Sequence, residues 1–269
     1  MDAMSPSLGS RWRGRLSRWR RGAATAAPAP TPADDEFVRR HIEECRQLHD
    51  GSGYYAIAEA DMDQQWEQTI WPLIRGADMT RVLELAPGHG RNTRKLIELA
   101  REVHLVDVNR SCLDACQERF GEGDERCRLH YHVNDGRSLD CLPDGSVTFV
   151  YSWDSMVHFD KRVVRSYVGE FARVLAPGGT GFVHHSNYGS VSDHEVFHEN
   201  PAWRSNMSRE LFAAYCAEVG LEIVEQKLLW WFVDDLDCLS VFRKPDPASG
   251  RRGMRRSDRS RRWGRRRVA

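Results

Sequence analysis

Short apolar runs recur along residues 81–244, and segments with helical spacing fill the gaps between them. RVLEL (81–85), EVHLVDV (102–108), RCRLHYH (126–132), SVTFVYS (146–152) and TGFVHH (180–185) read as five strands. LEIVEQKLLWWF (221–232) and LDCLSVFRK (236–244) read as two more, and the few residues between them predict an antiparallel pair. Helical spacing predicts helices over 35–49, 61–75 (bent or ended near Pro72), 91–100, 111–120, 162–175 and 208–219, the last with a serine cap at Ser208. Strands alternating with helices and closing on a hairpin predict an α/β fold. The expected sheet is doubly wound, seven-stranded and mostly parallel, with an antiparallel terminal strand.

Charge changes the picture at the two ends. The net charge of zero conceals six Arg against one Asp in residues 1–33, and twelve Lys and Arg against two Asp in residues 243–269. The body between them holds 21 basic and 36 acidic residues. An acidic body with two basic tails is expected. Both tails have the composition of disorder, and solvated ends are the plainer reading. The sharper reading is electrostatic contact with an anionic membrane, a nucleic acid or the acidic body itself. The basic start resembles a secretory signal only superficially, because prolines stand where an apolar core should be. No apolar run approaches the ~20 residues of a membrane span. Seven cysteines without a C-x-x-C pair argue against a disulfide framework or structural zinc, and fit a reducing cytoplasm.

The stretch VLELAPGHGRNT (82–93) carries the chemistry. Strand, glycine turn and helix begin a βαβ unit suited to a nucleotide-like ligand. The dinucleotide fingerprint is broken, since Thr93 stands where its third glycine belongs, and Glu84 inside the strand would repel a pyrophosphate. Glu84 suits a ligand without phosphate and with some positive charge. Asp107, ending the second strand, can accept both hydroxyls of a ribose, and Asp135 of the segment VNDG (133–136) can hold an adenine edge. Sulfonium, ribose and adenine together describe S-adenosylmethionine.

With these motifs in order, the chain resembles a class I S-adenosylmethionine-dependent methyltransferase over about residues 80–243. The family's E-x-G-x-G-x-G turn is met by Glu84, Ala86, Gly88 and Gly90, with Ala86 replacing the first glycine. LDCLPDGSVTFVYSWDSMVHF resembles the strand-4 region and RVLAPGGTGFVHH the helix–PGG–strand-5 segment. The resemblance implies cofactor contacts at Glu84, Ala86, Gly88, Gly90, Asn92, Asp107, Asn134, Asp135, Gly136, Ser152 and Trp153. It divides the chain into a basic tail (1–33), a methyltransferase domain (34–244, with N-terminal helices 34–79 and a core 80–244) and an Arg-rich tail (245–269). APGHGRNT, NDG, SWDSMVHF and HHSN further resemble bacterial sugar and glycan O-methyltransferases.

A hydroxyl acceptor is a poor nucleophile near neutral pH, so a general base is expected after strand 4 or strand 5. His158 is the first candidate: imidazole titrates near neutrality, and in some sugar O-methyltransferases a histidine after strand 4 serves as base. The plainer reading is that it caps or packs. Asp154 and His185 are the further catalytic candidates. His184 and His185 should face opposite sides of the sheet, so at most one reaches the site. Asp154, one of these histidines and Asp237 could instead hold a divalent metal, although histidine is a poor ligand for magnesium. Trp153, Trp203, Trp230 and Trp231 could form a wall for sugar stacking, though aromatics in strands more often face a core. The expected partner is a small-molecule or glycan acceptor. Nucleic acid is not expected, because the body is acidic and carries no aromatic RNA-binding motif. A nucleic-acid methyltransferase, or a non-catalytic binder using the tails, is the alternative.

Overall fold

The computed structural model describes residues 32–49, 54–191, 204–231 and 233–248. Most of both basic tails, and Trp203 of the tryptophan wall, lie outside the described residues.

Seven strands form one sheet: β1 (Arg81–Leu85), β2 (Glu102–Asp107), β3 (Arg128–Val133), β4 (Val147–Ser152), β5 (Leu175–Ser186), β6 (Glu222–Trp231) and β7 (Val233–Arg243). Their order is β3-β2-β1-β4-β5-β7-β6. The first five pair in parallel, and β7 runs antiparallel to both β5 and β6. This is the expected fold class. β4, VTFVYS, is buried at every position, as a parallel strand covered on both faces should be.

The helices follow from apolar spacing. In α7 (Lys161–Val174) Val163, Val164, Tyr167, Val168, Phe171 and Val174 are buried, one stripe of a helical wheel. Asp160 caps it, accepting from the Arg162 backbone N–H at 2.8 Å. The predicted serine cap is present on α9 (Arg209–Glu218), where Ser208 Oγ accepts from Leu211 N–H at 3.1 Å. One core layer packs α7 and α9 against the sheet through Phe171, Phe212 and Phe242. The other places Met62, Trp66, Ile70, Leu113 and Cys116 against Val103, Leu105 and Phe149.

On the N-terminal side, α1 (Pro32–His49) matches the expected helix, and α2 (Tyr54–Ala60) adds one that the pattern does not announce. The single helix expected over 61–75 is broken into α3 (Met62–Gln65), a π-helical turn (Trp66–Ile70) and α4 (Trp71–Ile74). The wider π turn carries the register to Pro72, which lacks the N–H for an unbroken α ladder. Helix 91–100 contracts to α5 (Thr93–Leu96), and Arg91, Asn92 and Thr93 turn their side chains inward onto polar partners. α6 (Arg110–Phe120) covers β2 and β3, and a short α8 (Tyr188–Val191) follows β5. No helix among the described residues is long and apolar enough to cross a membrane.

The chain leaves β1 toward β2 and β3, then returns to the other side of β1 as β4. The carboxyl ends of β1 and β4 therefore flank a topological switch point, where open α/β sheets bind ligands.

Candidate functional site

A cleft opens at this switch point. Its floor is made by the ends of β1 and β2 (Leu85, Val106, Asp107) and its sides by Asn134, Gly136 and Trp153. The glycine turn contributes Ala86, Pro87 and Gly88, followed by Arg91 and Asn92. Asp154, Ser155 and His158 complete the wall after β4.

Local geometry explains why these residue types stand here. Gly88 has φ +57°, and a Cβ placed on it would come within 2.5 Å of the Tyr55 ring. A side chain at this position would fill the cradle and strain the backbone. Gly136 has φ +81°, and its missing Cβ leaves room for Ile42 of α1. Ala86 adopts φ +56° although it is not glycine, so the departure from the family motif is carried as backbone strain. Asp107 is buried, and its Oδ1 accepts from the Asn109 N–H at 2.8 Å, which fixes the carboxylate at the end of β2. Asn92 is held by the Tyr151 hydroxyl, which donates to its Oδ1 at 2.8 Å. Asn134 donates through Nδ2 to the Ser138 carbonyl and lies 2.9 Å from the Tyr167 hydroxyl.

Nine expected site residues therefore line one cleft: Ala86, Gly88, Asn92, Asp107, Asn134, Gly136, Trp153, Asp154 and His158. Five do not line it. Glu84 is wholly buried behind the turn, where Oε2 accepts from Thr93 Oγ1 at 2.6 Å. Burial raises its pKa to about 7, opposed by the Thr93 hydrogen bond and by Arg91. Gly90 faces away, toward Phe120 and Cys116 of α6. Asp135 is exposed, and its Oδ1 accepts the N–H groups of Arg137 and Ser138, so its carboxylate shapes the turn between Asn134 and Gly136. Ser152 is fully buried at the end of β4.

His185 is the clearest correction. Its ring is fully buried, stacked on Phe212 at 4.5 Å between centroids, with Nδ1 on the Ser186 carbonyl and Nε2 on Ser240 Oγ. Burial lowers its pKa to about 4, and it is part of the core on the α9 side. His184 points to the opposite face, as alternation requires, and packs 4.7 Å from Trp153.

The carboxylates considered for a metal each have a guanidinium instead. Asp154 Oδ2 accepts from Arg91 at 2.7 Å. Asp237 is buried at 0 % exposure and accepts from Arg204 Nε at 2.9 Å and Nη2 at 2.7 Å, with His184 Nε2 3.1 Å away. Burial would raise the Asp237 pKa, but the His184 and Arg204 bonds outweigh it and hold it low. Asp154, Asp237 and the histidines do not gather into a three-ligand group among the described residues. Of the tryptophans, Trp153 stacks on Phe182 and lies against His184, Trp231 lies 6.5 Å from that imidazole, and Trp230 is 66 % exposed on β6.

The sequence reading missed one whole side of the cleft. His41, Ile42, Cys45 and Arg46 of α1 and Tyr55 of α2 line it. α1 is docked by His41 Nε2 on the His158 carbonyl (3.2 Å), by Asn109 Nδ2 on the Arg46 carbonyl (3.3 Å) and by Arg162 stacked over Phe37 (4.2 Å). The available signal was the amphipathic spacing of Phe37, Ile42 and Cys45 in a helix lying ahead of the first strand.

Residues 82–179 match a family model described as a methyltransferase domain. No curated protein matches. Among solved structures, a SAM-dependent methyltransferase from Leishmania major aligns with TM-score 0.57 at 16% identity, covering 76% of this chain and 81% of its own. A chain of the complex between the Haloferax volcanii Trm112 methyltransferase activator and a methyltransferase aligns with TM-score 0.56 at 19% identity, covering 75% and 98%. A SAM-dependent methyltransferase from Methanosarcina mazei aligns with TM-score 0.51 at 13% identity, covering 66% and 98%. At these identities the likeness speaks for the fold. Joined to the domain match, it gives residues 82–179 as a methyltransferase domain on a fold shared with SAM-dependent methyltransferases, with the glycine turn and Asp107 of that segment lining the cleft.

Proposed function

We propose that the enzyme methylates a hydroxyl of a sugar or glycan, with His158 as general base. The observation that carries the reading is that His158 lines the same cleft as Asp107 and Gly88. S-adenosylmethionine supplies an electrophilic methyl group when bound. Asp107 accepts the ribose hydroxyls, and Gly88 lets the backbone approach the ligand. Asp154, paired with Arg91, braces the segment that carries His158. The His158 imidazole would take the proton of the acceptor hydroxyl as its oxygen bonds to the methyl carbon and that carbon parts from sulfur, leaving a methyl ether and S-adenosylhomocysteine. A sugar acceptor is supported by the resemblance of APGHGRNT, NDG, SWDSMVHF and HHSN to sugar and glycan O-methyltransferases.

The test uses transfer of labelled methyl to a panel of mannosides, rhamnosides and nucleosides. With the accepted substrate, His158→Ala should lower turnover by ~10²–10⁴-fold, the usual worth of a general base. S-adenosylhomocysteine affinity should change little. Asp107→Ala should do the reverse first, weakening S-adenosylhomocysteine by at least about tenfold through lost charge-assisted bonds. Near-normal turnover in folded His158→Ala would remove the base. Labelling of nucleosides alone would remove the sugar.

A further inference from the structure

At the amino-terminal end of β2, away from the cleft, three histidines and a glutamate face one another across the β2–β3 pair. Glu102 and His104 project from one face of β2, and their register partners Arg128 and His130 from the same face of β3, with His132 two residues on. Glu102 Oε1 lies 2.8 Å from His130 Nε2 and 3.8 Å from His104 Nε2. One donor atom from each of the three residues lies within 4.8 Å of the others. Ligands of a tetrahedral zinc ion stand ~3.3 Å apart, given bonds of about 2.0–2.1 Å, so small side-chain rotations bring these donors to ligand spacing.

One detail separates this group from an ordinary surface ion pair. His104 is buttressed: its Nδ1 lies 3.1 Å from His132 Nε2. The tautomer that donates through Nδ1 leaves the Nε2 lone pair turned toward Glu102, and such a hydrogen bond on the far ring nitrogen orients a metal-bound histidine. The side chains remain 15 to 39 % exposed, so an ion can enter.

We propose that Glu102, His104 and His130 bind a divalent transition ion of the zinc class, with His132 positioning His104 and a fourth coordination place open to water. Two imidazoles and one carboxylate favour such an ion over magnesium or calcium, which take oxygen ligands. The ion would clasp edge strand β3 to β2, the strand that ends in Asp107.

The test takes the full chain, stripped by chelator, and titrates zinc chloride by calorimetry. One ion should bind per chain, and Glu102→Gln and His130→Gln should each weaken it by more than about tenfold, while His132→Gln weakens it by about 10–100-fold. Retained S-adenosylhomocysteine binding shows that each variant is folded. Cobalt(II) added to the wild type serves as the readout independent of variants: visible ligand-field bands of a tetrahedral nitrogen–oxygen site are expected. Absence of zinc binding, equal affinity in folded Glu102→Gln and His130→Gln, or a cobalt spectrum with thiolate charge-transfer bands would overturn the assignment.

Discussion

Glu84 shows how a single residue in a binding motif acts without touching the cleft. Its carboxyl is wholly buried with a pKa near 7, against an ordinary value of 4.5, and burial is the largest cause. Below about pH 4.5 it is protonated whether the chain is folded or not. Between 4.5 and 7 the unfolded chain ionises and the fold resists, so stability falls as pH rises and levels off above 7. The ionised form costs on the order of 3 kcal/mol in the fold. Glu84→Gln keeps an acceptor for Thr93 and removes the titration. Its stability relative to wild type should therefore rise by about that amount between pH 4.5 and 8 in urea unfolding. A gap that stays constant or shrinks would show that Glu84 is not ionising against the fold. The sequence made Glu84 conspicuous but not its depth, because an acid ahead of a glycine turn reads alike whether it faces ligand or a threonine nine residues on. Asp107 was legible for a firmer reason: the end of the second strand at a switch point has one place to face. His185 was not, because alternation shows that two adjacent histidines diverge and leaves open which one meets Phe212.

At the scale of elements, strands were read more closely than helices. β1 and β4 are short apolar runs between turns, and their bounds follow from composition. β5 extends back through Pro177, Gly178 and Gly179, which the pattern reads as a turn ahead of the strand. Here pairing of Val147 with Leu175 overrides local preference. The hairpin of β6 and β7 carries a polar clamp at its start. Arg204 reaches Asp237 of β7, Asp237 holds His184 of β5, and all three are buried. Removing one partner of such a pair strands a charge in the core. Arg204→Met should therefore lower stability by about 3–5 kcal/mol in chemical denaturation. A loss within about 0.5 kcal/mol would mean that Asp237 finds its charge balance elsewhere.

Over the whole molecule, the motifs that name the fold and many of the residues that line the cleft come from different stretches of chain. The matched segment, 82–179, supplies the glycine turn, Asp107, Asn134 and His158. The opposite wall comes from residues 41–55, ahead of the first strand. That division hid the wall from motif reading, since periodicity reports that α1 is amphipathic and not which surface its apolar side covers. It also sets a clock. Ile42 packs where Gly136 leaves space, and α1 is fastened by single contacts to the Arg162 side chain, the His158 carbonyl and the Asn109 side chain. An element held in this way opens more readily than the sheet beneath it. If S-adenosylhomocysteine binds between α1 and Asp107, lifting of that helix should set its residence time. Stopped-flow release of S-adenosylhomocysteine should be accelerated by Ile42→Ser about tenfold with its association rate nearly unchanged, as most affinity differences reside in dissociation. An unchanged release rate in the folded variant would mean that the ligand leaves by a path α1 does not guard. In the wild type, a first turnover faster than those that follow would mark the helix, and not methyl transfer, as the step that paces the enzyme.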